Sequence, residues 1–267
     1  MDWRTSTFLN LSGSEKHNKI FIAHRGESYD APENTMAAIN LAWERNADAV
    51  EIDVHLSKDG KIVVIHDHNT WRVSGSFKNV RDHTLAELKR LDVGKYKGSQ
   101  WINERIPTLE EVIATVPEDK YLFVEIKCGA EILPELKSVI EKSKLQPDQV
   151  KLIGFSLDTM RDAKRFLPEH EVFWVNELVQ GMDSNSRKSD LQELINGAKQ
   201  AGLDGLDLEA CEAIDKNFVN QIEANGMKLY VWTVNDPTEA KRLIEAGVDG
   251  IATDRAQWLK TQLEYQD

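Results

Sequence analysis

Histidine side chains follow directly after two short apolar segments of this sequence. The run IFIA precedes His24 and Arg25, and the run IVVI precedes His66 and Asp67. Neutral histidine exchanges protons near pH 7, and the fork of donors on arginine matches the oxygens of a phosphate. The two segment ends therefore indicate acid/base chemistry beside an anion-binding group, with Asp67 either orienting His66 or capping the turn.

Charged side chains also stand two residues apart in two other apolar segments. Glu51 and Asp53 flank one isoleucine, and Glu125 and Lys127 flank another. Because alternate residues of a strand point to one face, each pair shares a face of its strand. Carboxylates gathered in this way require compensation, and oxygen ligands without cysteine suit Mg²⁺ or Ca²⁺ better than zinc. A single such acid is usually an ordinary ion pair, but two such strands ending together favour a divalent cation site.

Short segments rich in branched and aromatic residues predict the β-strands. The predicted strands are the eight segments 20–24, 49–54, 121–126, 151–156, 172–175, 205–208, 228–234 and 249–252. Between them apolar residues recur with helical spacing, most clearly over 108–116 and 190–200. This alternation, at this chain length and without a GxGxxG or P-loop motif, predicts a (β/α)8 TIM barrel rather than an open doubly wound sheet.

Signals at the helix ends support the alternation. Thr108 and Glu111 have the spacing of a capping box, and Asp236 stands before a proline. The phrases NADAVEID, AGLDGLDL and AGVDGIAT share one plan, in which a residue suited to a left-handed cap precedes an apolar strand. The stretch DAPE is predicted to open the first outer helix, with Glu33 and Asn34 as caps or as secondary candidates for the site.

Catalytic residues of (β/α)8 barrels lie at the carboxyl ends of the strands. That rule gathers the histidines, the carboxylates and the basic side chains at one mouth of the predicted barrel. Trp232, near the end of another predicted strand, joins them, and Trp71 and Trp101 are further candidates for the lining of a substrate groove. A single tryptophan more often packs in a core.

Residues 55–107 depart from the alternating pattern. Asp59-Gly60 separates two alternating runs as a hairpin turn does, and a polar stretch with one short amphipathic piece, LAELKRL, follows. We predict an insertion at the mouth of the barrel, after its second strand, that is too small to be a domain. The barrel is assigned to residues 19–267 and an N-terminal extension to residues 1–18.

Composition restricts the classes of function. The chain has 267 residues, is 41% hydrophobic and carries a net charge of -12, so it can build one large core. Such an acidic surface disfavours nucleic acid and anionic membranes, whereas a local basic cluster or a metal still permits a phosphate ligand. Two cysteines define no disulfide framework, and we expect neither a signal peptide nor a membrane span. These features favour a cytoplasmic protein and leave the oligomeric state open.

The motifs, taken in order, resemble the glycerophosphodiester phosphodiesterase family. They are AHRGESYDAPENT (23–35), VEIDVHLSKDGKIVVIHD (50–67), Arg72, RIPTLEEV (105–112), FVEIK (123–127), GFS (154–156), VWTVND (231–236) and GVDGIATD (247–254). The resemblance spans residues 20–254 and implies a (β/α)8 barrel with a small insertion after its second strand. The stretch HNTW after His66-Asp67 lacks the apolar-Asp pair that the family has before the arginine, a difference that concerns leaving-group preference.

The resemblance implies hydrolysis of a small-molecule glycerophosphodiester to sn-glycerol 3-phosphate and an alcohol. By matching position, the ligands of one divalent cation would be Glu51, Asp53 and Glu125, the general acid/base pair His24 and His66, and the phosphate-binding side chains Arg25 and Lys127. The sequence does not choose between water and the neighbouring glycerol hydroxyl as nucleophile, nor between the histidines as acid and base.

Two other functions are considered for the same barrel. A lysophospholipase D or phosphoinositide-type phospholipase predicts an exposed apolar rim over 68–104, where Trp71, Phe77 and Trp101 stand among charged residues that favour a water-soluble headgroup. A non-catalytic phosphodiester-binding barrel is expected to lack at least one acid, base or ligand, and all seven are present.

Overall fold

The computed structural model of this chain describes residues 19–178 and 184–264. The predicted N-terminal extension, residues 1–18, lies outside the described residues, as do residues 265–267 at the end of the predicted barrel.

The described strands form one closed sheet with a short appended strand. Their bounds are β1 Ile20–His24, β2 Ala49–Leu56, β3 Ile62–Val64, β4 Tyr121–Ile126, β5 Val150–Gly154, β6 Glu171–Asn176, β7 Gly205–Glu209, β8 Lys228–Trp232 and β9 Gly250–Thr253. Every barrel strand pairs in parallel with its neighbour, and β1 pairs with both β2 and β9, which closes the barrel. β3 pairs antiparallel to β2 outside the ring. The eight parallel strands confirm the predicted (β/α)8 barrel.

Helices surround the ring. Their bounds are α1 Met36–Glu44, α2 Trp71–Ser74, α3 Leu85–Leu88, α4 Leu109–Ile113, α5 Leu133–Lys142, α6 Leu157–Phe166, α7 Ser184–Ala201, α8 Lys216–Glu223, α9 Pro237–Ala246 and α10 Ala256–Glu264. Over the described ranges, no helix combines the length and the apolar character needed to cross a membrane. The main core lies between this helical layer and the outer face of the sheet, where aliphatic side chains of both are buried.

A second, smaller core fills the inside of the barrel. The ring of Tyr230 meets the rings of Phe123 and Phe173 edge to face, each with 5.0 Å between centroids. Aromatic pairs prefer this geometry, and here they occupy the interior that would otherwise be a pore. The rings form a packed base below the carboxyl ends of the strands, so any cavity for a ligand lies above them.

The predicted cap residues adopt the expected conformations. Asn46, Gly202 and Gly247 all have positive φ, at 59°, 72° and 111°. Thr108 and Glu111 form a capping box at the start of α4, but that helix ends at Ile113, short of the predicted 116. The helical pattern outlasts the helix because a proline at 117 disfavours helical geometry just before it.

The prediction for the start of the first outer helix was wrong. The stretch DAPE lies in turns, and α1 begins at Met36 with Thr35 as its N-cap, whose hydroxyl accepts from the backbone N–H of Ala38. Neither Glu33 nor Asn34 caps the helix. Asn34 instead has φ of 56° and turns its amide towards Asp53, at 2.7 Å. Ionic and amide contacts at the barrel mouth therefore override the local helix signal.

The segment between β2 and β4 contains the predicted hairpin. β2 extends to Leu56, beyond the predicted 54, and pairs with β3 through a turn at Asp59-Gly60. α2 and α3 follow, and a separate small cluster of buried aliphatic residues holds this segment together. It lies on the side of the barrel where the strands carry their charged ends, since its His66 faces the residues of β2 and β4 described below.

Candidate active site

The carboxyl ends of the barrel strands surround a cavity of about 220 Å³. Its lining is charged on the side of β1, β2 and β4 and mainly apolar on the side of β5 to β9. The lining residues are His24, Arg25, Glu51, His66, Glu125, Lys127, Ile153, Phe155, Val175, Glu177, Asp207, Trp232 and Ala252. Seven of the eight principal candidates from the sequence, Trp232 among them, thus line one cavity, and the eighth, Asp53, lies buried beside them.

Glu51, Asp53 and Glu125 form a buried acidic triad. One oxygen from each lies within 4.8 Å of the others, an arrangement able to hold a metal ion. Oε1 of Glu51 and Oδ1 of Asp53 are buried and find no hydrogen-bond partner in the described part of the chain. Buried oxygens with nothing to accept from are costly, and a hard cation satisfies them, so the residues present fit such an ion.

The charge state of the triad reflects its burial. Burial, and then the repulsion of the neighbouring carboxylates, raises the pKa of Glu51 well above its usual value, and the same causes raise the pKa of Glu125 to about 7. Burial acts in the same direction on Asp53, but Arg25 above all holds its pKa below the usual value. The triad therefore carries more negative charge than its surroundings stabilise, which favours cation binding.

Arg25 reaches the triad through both its backbone and its side chain. Its backbone N–H donates to Oε2 of Glu51 at 2.9 Å, and its guanidinium lies 3.2 Å from Oδ2 of Asp53. These contacts require φ of 57°, a left-handed conformation that is unusual for arginine. Gly26 continues this turn with φ of 80°, where a Cβ would lie 2.6 Å from the backbone of Ala38. The turn after β1 is thus shaped to bring the arginine back over the carboxylates.

His24 is oriented by a residue that the sequence reasoning did not single out. Asp254, directly after β9, accepts from Nδ1 of His24 at 2.8 Å, and also from Ser28 and Asn235. Burial acts to raise its pKa, but these partners lower the pKa of Asp254 to about 2. An ionised carboxylate only accepts, so Nδ1 carries the proton and Nε2 is the ring nitrogen left for a ligand. A closed barrel places its last strand beside its first, and this rule was the signal that could have pointed to Asp254.

His66 lies in a second set of contacts of the same kind. Its Nδ1 is 2.7 Å from Oδ1 of Asp67, so Asp67 orients the ring, one of the two roles considered for it. Its Nε2 is 3.2 Å from Nζ of Lys127, which also lies 2.8 Å from Oε1 of Glu125. Burial lowers the pKa of His66. The neutral ring, with Nε2 as an acceptor, is the form that these contacts favour.

Two of the secondary candidates, Glu33 and Arg72, contact both sides of the cavity mouth from outside the cavity. Arg72 binds Glu33 and Asp67 through paired contacts of 2.6 to 3.1 Å. Glu33 in turn accepts from Arg25 at 3.0 Å. This chain of ion pairs links the turn after β1 to the segment that carries His66, so it positions both sides of the cavity mouth.

Of the three tryptophan candidates, one lines the cavity and two do not. Trp232 lines the cavity and meets Phe155, which the sequence reasoning had not singled out, edge to face at 5.9 Å between ring centroids. Trp71 and Trp101 do not line it. Trp71 is 61% exposed on α2, because the short helices of the insertion direct its side chain to solvent. Asp207, on the inward face of β7, is a further cavity residue that the sequence reasoning missed.

Cationic side chains beside a metal-type acidic cluster, with two carboxylate-bound histidines, are suited to cleaving a phosphate ester. Fold and site together define the class of (β/α)8-barrel phosphodiesterases. A glycerophosphodiester phosphodiesterase of Caldanaerobacter subterraneus subsp. tengcongensis is 34% identical over 250 residues, which cover 90% of this chain and 96% of that protein. The model of the glycerophosphoryl diester phosphodiesterase family matches residues 24–257. The chain therefore belongs to the glycerophosphoryl diester phosphodiesterase family, which confirms the resemblance.

Solved structures agree with this assignment. An Oleispira antarctica phosphodiesterase, determined in complex with the product sn-glycerol-3-phosphate, has a TM-score of 0.77 and 29% identity, covering 91% of this chain and 96% of that one. A glycerophosphodiester phosphodiesterase from Thermotoga maritima has a TM-score of 0.73 and 27% identity, covering 92% and 99% of the two chains.

Proposed function

We propose that this protein hydrolyses water-soluble glycerophosphodiesters to sn-glycerol 3-phosphate and an alcohol, with one divalent cation and two histidines. The observation that carries the proposal is the convergence of His24, His66 and the acidic triad on one cavity beside two cationic side chains. Family membership gives the reaction class.

Glu51, Asp53 and Glu125 would hold the cation, which we propose to be Mg²⁺ or Ca²⁺. Oxygen-only ligands favour these hard ions, and the unpartnered oxygens of the triad leave room for them. When bound, such an ion neutralises charge on the non-bridging oxygens of a phosphate. Arg25 and Lys127 would bind the same phosphate, since both stand at the edge of the triad with their charges facing the cavity.

His24 and His66 would exchange protons with the reacting oxygens. Each has its Nδ1 held by a carboxylate, which directs Nε2 away from that partner and fixes the tautomer. One histidine would take the proton from the attacking hydroxyl as the new P–O bond forms. The other would donate its proton to the alcohol oxygen as the old P–O bond breaks. The attacking oxygen belongs either to water, which gives sn-glycerol 3-phosphate directly, or to the neighbouring glycerol hydroxyl, which gives a cyclic phosphate that water then hydrolyses.

A panel of glycerophosphodiesters assayed with Mg²⁺, Ca²⁺ or EDTA tests the proposal. We expect EDTA to abolish release of glycerol 3-phosphate and one of the two cations to restore it. Without a cation the three carboxylates repel one another and the negatively charged phosphate. Glycerol 3-phosphate is measured with a coupled dehydrogenase. Full activity in EDTA after dialysis against the chelator would contradict the metal requirement, and no hydrolysis with any cation would contradict the function.

A second candidate function, lysophospholipase D, is favoured by one observation. Trp71 and Phe77 are 61% and 63% exposed on the predicted insertion, where an apolar rim was expected for that activity. Neither side chain lines the cavity. We therefore expect the panel to show faster hydrolysis of glycerophosphocholine than of lysophosphatidylcholine, and the reverse order would establish the second candidate.

Asp254→Asn tests the orientation of His24. The amide cannot serve as the ionised acceptor of Nδ1–H, so the proton of the His24 ring is no longer fixed on Nδ1. We expect kcat to fall by about 10- to 100-fold. Ser28→Ala is the matched control, because Ser28 bonds the same Asp254 oxygen at 3.1 Å without touching the histidine. Equal losses in both variants would mean that Asp254 only supports the loop.

We propose the cellular location of the protein and its partners from its cysteines and its net charge. Cys128 and Cys211 are both free thiols in the structure, which is consistent with a reducing cytoplasm. The net charge of -12 makes nucleic acid an unfavourable partner. We also propose that the barrel extends over residues 19–267, with residues 55–107 as the insertion at its mouth.

A further inference from the structure

Asp207 is a buried carboxyl for which the proposed mechanism has no use. It lies on the inward face of β7, lines the cavity and is 5% exposed. Among residues 19–178 and 184–264, its Oδ1 has no hydrogen-bond partner. Across the part of the chain that the structure describes, its side chain forms no salt bridge of the kind that holds Asp53 or Glu125.

Apolar and aromatic side chains flank Asp207 in the sheet. In register beside it stand Val175 on β6 and Tyr230 on β8, and the indole of Trp232 donates to its backbone carbonyl at 3.3 Å. Burial, with a smaller effect of the Glu125 charge, raises the pKa of Asp207 to about 8. A neutral carboxyl can both donate and accept one hydrogen bond, which is the pattern that an alcohol hydroxyl requires.

Asp207 is separate from the metal cluster. The oxygens that lie within 4.8 Å of one another come from Glu51, Asp53 and Glu125, and Asp207 contributes none. Asp207 stands two residues before the end of β7, in register with Tyr230 of the aromatic base, so it lies at the depth of that base rather than at the mouth. At this depth we expect the small glycerol moiety, with the headgroup extending towards the open mouth.

We propose that Asp207 is a specificity-determining residue, which hydrogen-bonds a hydroxyl of the glycerol moiety of substrate and product. This inference rests on the proposed function. An unpartnered polar group in an apolar wall discriminates strongly, because a ligand that lacks the matching hydroxyl leaves the carboxyl buried and unpaired.

Product binding tests the proposal independently of turnover. The dissociation constants of glycerol 3-phosphate and of its two deoxy analogues, propane-1,2-diol 1-phosphate and propane-1,3-diol phosphate, are measured by calorimetry on protein saturated with the activating cation. We expect the wild type to bind glycerol 3-phosphate about 10- to 100-fold more tightly than one of the analogues. In Asp207→Leu, of similar shape but apolar, that ratio should fall to within about threefold of one.

Two further variants serve as controls. Asp207→Asn keeps a donor and an acceptor and should retain most of the preference. Glu209→Gln removes a carboxyl two residues further along the same strand, outside the cavity lining, and should retain all of it. Circular dichroism checks folding, and if Asp207→Leu does not fold, Asp207→Ala removes the carboxyl without adding apolar bulk.

Three results would overturn the proposal: an unchanged preference in the folded apolar variant, an equal loss in Glu209→Gln, or a loss of cation binding in Asp207→Leu that accounts for the change. Turnover of glycerophosphodiesters with an unaltered preference in Asp207→Leu overturns this inference alone. Absence of both turnover and glycerol 3-phosphate binding in the wild type overturns the proposed function together with it.

Discussion

Glu125→Gln is expected to abolish cation-dependent hydrolysis, lowering kcat/KM by about 10³-fold or more. The substitution removes one charged ligand from the acidic triad and leaves Lys127 without its 2.8 Å carboxylate partner. A bound cation contributes several kcal/mol to phosphate-ester cleavage, and each 1.4 kcal/mol corresponds to a factor of ten in rate. Calorimetric titration with Mg²⁺ and Ca²⁺ should show weaker binding in parallel.

The fold of this variant should survive. Glutamine has the shape of glutamate, and removing one of three mutually repelling buried carboxylates relieves a charge that raises the pKa of its neighbour Glu51. Thermal unfolding followed by circular dichroism measures this. Glu131→Gln provides a matched control, because Glu131 follows the same strand but is exposed and lies outside the cavity. Activity within tenfold of the wild type in a folded Glu125→Gln protein would remove the metal assignment.

His24→Ala and His66→Ala are each expected to lower kcat by about 10²- to 10⁴-fold, the usual contribution of a positioned general acid or base. Both rings face the cavity with Nδ1 held by a carboxylate, so truncation removes the proton-transfer group without disturbing the acidic triad. His83→Ala is the control, since the ring of His83 bonds the backbone carbonyl of Asn79 in the insertion and does not line the cavity. Losses below tenfold in both site variants would rule out the acid/base pair.

A substrate with a better leaving group separates the two roles. With glycerophospho-p-nitrophenol the departing oxygen needs little protonation, so the variant that lacks the general acid should recover much of its rate. The variant that lacks the general base should remain slow with every ester. This comparison assigns acid and base, which the symmetric contacts of His24 to Asp254 and His66 to Asp67 leave open.

The fold followed from local patterns because a parallel barrel repeats one unit. Apolar runs of four to seven residues matched all eight barrel strands, with ends that moved by up to two residues. The left-handed caps at Asn46, Gly202 and Gly247 were predictable because few residues adopt positive φ at low cost. The start of α1 was not predictable from local signals. The turn before it is held by Asp53, which is distant in sequence, and by Arg25, whose φ is positive.

Part of the site was also predictable from spacing along single strands. Alternation by two places Glu51 and Asp53 on one face, and the carboxyl-end rule then brings them near Glu125 and His24. Asp207 was missed because the predicted strand 205–208 ended before Glu209, so a pair of acids with the same spacing as Glu51 and Asp53 was not recognised. Trp71 and Trp101 were overestimated, because nothing local indicates on which side of a short helix an indole faces.

The sequence by itself determined the family, the barrel and the types of group at its mouth, because these depend on motifs and on spacing along single strands. Only the tertiary structure decided which groups act on one another. Asp254 reaches His24 across 230 positions of the chain because barrel closure places β9 beside β1. The same closure buries Asp207 in the cavity wall, where its Oδ1 has no partner among the described residues. Contacts of this kind arise from curvature and register between strands, which no single segment encodes.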